Sequence, residues 1–141
     1  MKILVPIDSS PNALRALRHV LDNRAWYSEP LEVHLLNVQL PVASGGVKMF
    51  ISQDQLNEFY EDQGQAELKS ARELVQAAGV SCHLRVGVGD AAATIAGYAR
   101  DEGCALIVMG TRGLGSIANM LLGSVATKVI HLAEVPVLLI K

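Results

Sequence analysis

Gly110, Gly113, Gly115 and Gly123 fall within fourteen residues of one another, and Ser124 follows the last of them. Glycine lets a backbone approach an anion closely and adopt positive φ, so that successive N–H groups can point at one spot. Val125, Val129 and Leu132 then recur at helical spacing, so a helix opens near Ser124. Its first amides and the positive end of its dipole favour negative charge. Arg112 supplies a cationic fork suited to phosphate oxygens, and Ser124 a hydroxyl. Asp8 cannot bind phosphate directly. It can accept hydrogen bonds from ribose hydroxyls, or hold a divalent cation such as magnesium.

Two loose matches to the dinucleotide pattern G-x-G-x-x-A, at Gly87–Ala92 and Gly113–Ala118, carry little weight. Neither follows the first strand of the fold, and no acidic residue ends a following strand where a ribose would need it. The P-loop lysine is absent as well. Glycines after a strand are often only turn chemistry, so the stretch needs support from its position.

That position comes from five short apolar runs separated by helical patterns. Ile3–Ile7 reads as a buried strand ending at Asp8, with Pro6 near its close. Ser9, Ser10 and Pro11 open a helix carrying Leu14, Leu17 and Leu21. Leu31–Val38 is the second strand, followed by a loop from Gln39 to Gln53. Asp54 is expected to cap a long helix with Leu56, Tyr60, Leu68, Ala71, Val75 and Ala78 on one face, closed by Gly79. Val80–Val86 is the third strand. Asp90 caps a helix with Ile95 and Ala99 that ends at Gly103, and Ala105–Met109 is the fourth strand. Val135–Ile140 closes the chain. Strands alternating with helices specify a parallel sheet covered on both faces, because each crossover must be right-handed. Ligands in such sheets gather beyond the carboxyl ends of the strands, here Asp8, Val38, Gly87 and Gly110. Periodicity does not say which of these ends are neighbours.

The bulk numbers agree with a single domain spanning residues 1–141. Half the 141 residues are hydrophobic and 18% are charged, which argues against disorder. Net charge is −2 and the twelve Lys and Arg are scattered, so neither nucleic acid nor a membrane surface is an expected partner. Cys82 and Cys104 lie in or beside strands with no metal-like spacing and are expected as reduced thiols. No secretory leader pattern opens the sequence, and no apolar run reaches the ~20 residues of a membrane span, which points to the cytoplasm.

Taken together, Gly110-x2-Gly113-x9-Gly123-Ser124 resembles the G-x2-G-x9-G-(S/T) signature of the ATP-binding branch of the universal stress protein family. The resemblance runs along nearly the whole chain. It includes the opening Ile-Leu-Val-Pro-Ile-Asp, Gly87-x-Gly89 before a helix, Leu106–Gly113, and the ending Val135-Pro-Val-Leu-Leu-Ile140. It implies an α/β open parallel five-stranded sheet ordered 3-2-1-4-5, of the adenine nucleotide hydrolase-like, Rossmann-like kind. That order would set Asp8 beside Gly110. By the same resemblance, Pro6, Ile7 and Val38 would frame the adenine of ATP or another adenine nucleotide. Asp8 would meet the ribose or a magnesium ion. Met109, Gly110, Arg112, Gly113, Gly123, Ser124 and Val125 would line the triphosphate path, with Thr127 a weaker candidate one turn on.

Hydrolysis would need a residue to orient water and extra charge at the γ-phosphate. Arg112 is available for the second task, but no base presents itself. His19, His34, His83 and His131 show no ligand-like or triad-like grouping in the sequence. A phosphorelay receiver would want an acidic pair near the first strand and an Asp ending the third, where Gly87 stands. The sequence therefore points to a nucleotide-binding stress or signalling module, with slow ATP turnover as the most it would support. The alternative is a nucleotide-free dimeric interaction protein whose glycines serve only a turn. In the implied order Val135–Ile140 lies at a sheet edge, where pairing with its copy would give a homodimer. The Val47–Ile51 cluster would fold over the adenine, join that contact or pack locally on the second helix.

Overall fold

A computed structural model describes residues 1–42, 50–114 and 118–141. Five strands, β1 (Lys2–Pro6), β2 (Glu32–Gln39), β3 (Ser81–Val88), β4 (Leu106–Gly110) and β5 (Val137–Ile140), form one parallel sheet in the order β3-β2-β1-β4-β5. Helices α1 (Pro11–Asp22), α2 (Gln53–Ala78), α3 (Ala91–Asp101) and α4 (Ser124–Leu132) make the crossovers.

Alternation along the central strands sends successive side chains to opposite faces. Ile3, Val5, Val33, Leu35 and Val108 meet Leu17 and Val20 of α1 and Leu68, Ala71 and Val75 of α2. Leu4, Leu36, Ile107 and Met109 meet Ala92, Ile95 and Ala99 of α3 and Ala126 and Val129 of α4. The chain winds outward from β1 in one direction to β2 and β3, then jumps back to β4. The switch point therefore lies between β1 and β4.

The helix ends show local chemistry. Ser10 caps α1, its side chain accepting from the Ala13 amide, with Pro11 in the first turn. Asp90 caps α3 by accepting from Ala93. The cap of α2 is Ser52 rather than Asp54: Ser52 and Gln55 form a capping box, and Asp54 sits in the first turn, where its charge suits the dipole. Gly79 closes α2 at φ +67°.

Other boundaries also move. β3 runs on to Val88, beyond the expected end at Val86, because its pairing with β2 continues to Gln39↔Val88. β5 begins at Val137, since Pro136 has no N–H to give the ladder. The sheet is not covered on both faces throughout. On β3 the residues facing α2, such as Leu84 and Val86, are half-buried, whereas His83 and Arg85 on the α3 side are exposed. α3 leaves that edge of the sheet open.

A second correction follows from the β2–β3 register. His34 pairs with His83 across the ladder, and Glu32 lies two residues before His34 on the same face. The histidines thus do form a group with an acid, which sequence spacing alone could not reveal. Cys104 is buried and Cys82 half-buried, both as free thiols. Among the described residues no helix is long and apolar enough to cross a membrane. Of the Val47–Ile51 cluster, Val47, Lys48 and Met49 lie outside the described residues, while Phe50 and Ile51 are exposed.

Candidate functional site

β1 and β4 are neighbours, so the turn after Ile7 and the segment after Gly110 rise side by side from the sheet. A cavity of about 280 Å³ opens between them. Every residue expected at the site borders it: Pro6, Ile7, Asp8, Val38, Met109, Gly110, Arg112, Gly113, Gly123, Ser124 and Val125. Thr127 does not. Its hydroxyl and amide both donate to the Gly123 carbonyl, at 2.9 and 3.1 Å. Leu36, Ile95, Met120 and Ala126 complete an apolar wall, and among the described residues Asp8 and Arg112 are the only charged side chains on the lining.

The apolar end has one polar strip. Leu36 directs its carbonyl at β1, accepting the Ile7 amide at 2.8 Å, and Gln39 directs its own at β3, accepting from Gly89 at 3.0 Å. Alternation along the strand then turns the backbone groups of Val38 toward the β1 side. β1 pairs only as far as Pro6 opposite Leu36, so no strand remains there to take them. Ile7 differs from Val38. Its amide is used by Leu36, and its carbonyl accepts from Asn37 Nδ2 at 2.9 Å. Ile7 therefore shapes the wall without offering a backbone group.

Asn37 is a residue the sequence reading missed. It is buried, and its amide also reaches Glu67 of α2 at 2.6 Å, while Gln39 donates to Asn37 Oδ1 at 2.7 Å. This network pins the ends of β1 and β2 to α2 beside the cavity. An asparagine inside a strand was the one available signal, since a buried amide must find partners.

At the polar end the glycines play different parts. A Cβ on Gly110 would stand 2.8 Å from Asn12 Cβ, where α1 crosses the end of β4. A Cβ on Gly113 would collide with Asp8 Oδ2. Gly123 has φ −73° and ψ 165°, and its Cβ would meet nothing closer than 3.4 Å. The positive φ expected of this stretch appears at none of the three; among the described glycines it occurs at Gly79, Gly89 and Gly103. Packing thus explains Gly110 and Gly113, but it does not require Gly123.

Gly123 is the N-cap of α4, and no side chain caps that helix. Its own amide donates to Thr111 O at 2.7 Å, which ties the helix start to the end of β4. The amides of Ser124, Val125 and Ala126 have no hydrogen-bond partner among the described residues. Orphan donors and a dipole end make this an anion-ready corner. Arg112 stands beside it, with one long bond to Ala118 O at 3.4 Å and no carboxylate partner among the described residues.

Asp8 is already at work. Oδ1 accepts from the Ser10 amide at 3.0 Å and from the Ser10 hydroxyl, and Oδ2 accepts from the Leu114 amide at 3.3 Å. A carboxylate has about four lone-pair directions, and the described residues fill three of those of Asp8, which borders the cavity.

The chain is thus an open parallel α/β protein with an apolar slot and an anion-ready helix end at its switch point, the place where ligands bind in sheets of this class. The model of the universal stress protein family matches residues 1–141, and the chain belongs to that family. It is 32% identical to universal stress protein MJ0531 of Methanocaldococcus jannaschii, over 99% of this chain and 81% of that protein. The solved structure of protein MJ0577 from the same organism is similar with a TM-score of 0.84 at 30% identity, covering 99% of this chain and 94% of that one. A universal stress protein family structure from Arabidopsis thaliana, described with AMP bound, has a TM-score of 0.71 at 22% identity, over 100% of this chain and 91% of that one, a likeness of fold.

Proposed function

We propose that residues 1–141 act as one unit that binds ATP or another adenine nucleotide at the β1–β4 switch point. The observation that carries this reading is Gly123. Neither its backbone angles nor its neighbours demand glycine, yet a bare backbone there stands before three amides, of Ser124, Val125 and Ala126, that have no hydrogen-bond partner among the described residues and belong to residues bordering the cavity. Adenine would lie on the wall of Ile7, Val38 and Ile95, with the Val38 backbone reading its edge. The phosphates would meet Ser124, Val125 and Arg112.

Asp8 would take a ribose hydroxyl, or a magnesium ion shared with the phosphates. Magnesium is commonly held by one or two carboxylates together with phosphate oxygens and water, and Asp8 is the one carboxylate among the described residues of the lining. The donor set fits such an ion only when nucleotide is present.

Among the described residues no side chain at the polar end is placed as a general base. The function proposed is binding that alters shape or partners in stress response or signalling, with ATP turnover slow at most. β5 would pair with its copy to give a homodimer in the cytoplasm. Light scattering at micromolar concentration checks the dimer, and a monomer would overturn it.

A second reading has support from Gly110 and Gly113, whose identities packing alone explains: a nucleotide-free dimeric interaction protein. Identifying the small molecule released when the purified protein is denatured separates the two. An adenine nucleotide in near-stoichiometric amount supports the first reading. A chain that carries none and fails to take up ATP in dialysis supports the second.

A further inference from the structure

The histidine–glutamate group on the α3 side of the sheet has a geometry that hydrogen bonding alone does not require. His34 Nε2 lies 2.7 Å from Glu32 Oε1, and His83 Nε2 lies 3.1 Å from the same oxygen. The two imidazoles stack with centroids 4.8 Å apart and planes 18° from parallel. Each ring therefore presents the same nitrogen to one carboxylate oxygen, and three donor atoms of three residues lie within 4.8 Å of one another.

From this convergence we propose that Glu32, His34 and His83 bind a divalent transition-metal ion of the zinc type. Zinc bonds to imidazole nitrogen and carboxylate oxygen at about 2.0–2.2 Å, which sets neighbouring donors of a tetrahedral site about 3.3 Å apart. The spacings from Glu32 Oε1, 2.7 and 3.1 Å, are shorter than this by about 0.6 and 0.2 Å, so admitting the ion requires the carboxylate to draw back from both rings and the stacked imidazoles to turn toward a common point. Two imidazoles and one carboxylate suit zinc, cobalt, nickel or copper. Magnesium and calcium prefer an all-oxygen shell.

Two features favour a metal over a plain hydrogen-bonded cluster. His34 is buried, and its other ring nitrogen lies 2.8 Å from the Tyr98 hydroxyl of α3. A partner on the second nitrogen fixes ring orientation and tautomer, as it commonly does for metal-binding histidines. The other two donors remain accessible: the His83 side chain is 55% exposed and that of Glu32 30%. β3 is an edge strand that α3 leaves uncovered, so water and a metal ion have an entry path and a fourth coordination position. Lys2 and Arg85 are nearby cations: the Lys2 ammonium is turned to the Glu102 carbonyl at 3.1 Å, and Arg85, two residues after His83 on the same exposed face, lies near Tyr98. His34 is four residues before Val38 on β2, roughly 13 Å along an extended strand, so this site is separate from the nucleotide cavity.

The test uses untagged full-length protein, stripped with chelator and free of nucleotide. Calorimetric titration with zinc should show one saturable site, and cobalt should give the visible absorption of a low-coordinate centre. His83→Ala and Glu32→Gln should each weaken zinc binding at least tenfold while leaving circular dichroism unchanged. Tyr98→Phe should weaken it about tenfold through loss of ring positioning. Failure of the wild type to bind zinc in a one-to-one site would overturn the proposal and leave a hydrogen-bonded cluster. Undiminished binding in His83→Ala would overturn it too, by placing the ion elsewhere, such as at His19 or His131.

Discussion

Asp8 Oδ2 accepts the Leu114 amide at 3.3 Å, joining residues 106 positions apart and holding the glycine segment against the end of β1. The same oxygen occupies the place a side chain at Gly113 would need. Gly113→Ala should therefore cost about 1–3 kcal/mol of stability through overpacking. In an Asp8→Ala background that cost should shrink, because the obstructing oxygen is gone. Urea unfolding of the four proteins of this cycle checks the coupling, and simple additivity would contradict it.

Gly123→Ser should move stability and binding in opposite directions. A serine N-cap can accept from an early amide of α4 and add a few tenths of a kcal/mol over glycine. That bond would occupy a donor meant for phosphate. Thermal unfolding should show a small gain and ATP titration a loss, whereas a gain in both would contradict the assignment of these amides to the ligand.

Arg112 touches no carboxylate among the described residues, so its removal should leave stability nearly unchanged. A hydrogen bond to a charged group is worth about 1.5–3 kcal/mol, so Arg112→Gln should weaken ATP roughly 10- to 100-fold. Adenosine, which lacks phosphates, should bind as before. Equal losses for both ligands would show that Arg112 shapes the pocket rather than meeting the phosphates.

Much of the lining of this cavity was legible in the sequence because its parts are backbone features announced by glycine, proline and helix caps. Ser10, Asp90 and Gly79 punctuate the chain where they should. The spacing of Gly110, Gly113 and Gly123 pointed to a loop that borders the cavity. The reasons for those glycines were not legible. Gly113 answers to Asp8 and Gly110 to Asn12, contacts that exist only once α1 crosses beside β4. The His34–His83 pairing depends on the register of β2 against β3, and spacing within one segment carries no such information. Ser52 and Asp54 are both good cap residues, and the capping box with Gln55 decided between them.

Burial pushes the Cys104 thiol up to about 11. A raised value means the folded state holds the proton more tightly than the unfolded chain. The associated stability is present below the ordinary thiol range near 9 and is lost as pH rises through about 11. Cys104→Ala should flatten that part of the alkaline unfolding profile, followed by circular dichroism. At pH 8 the Cys104 thiol should also react with a thiol reagent more slowly than free cysteine. An unchanged alkaline profile in the variant would show that Cys104 does not contribute to it.

The most direct measurement is equilibrium dialysis of ATP with magnesium against the wild-type chain and Gly123→Val. A Cβ at Gly123 would lie 3.4 Å from Arg112 Cα and 3.5 Å from the Thr111 carbonyl, in ordinary contact, and the two further methyl groups of valine would crowd this corner beside the start of α4. Saturable one-to-one binding by the wild type, with at least a tenfold loss in a variant that still folds, is the predicted result. Equal retention of ATP by both proteins, or by neither, would contradict it.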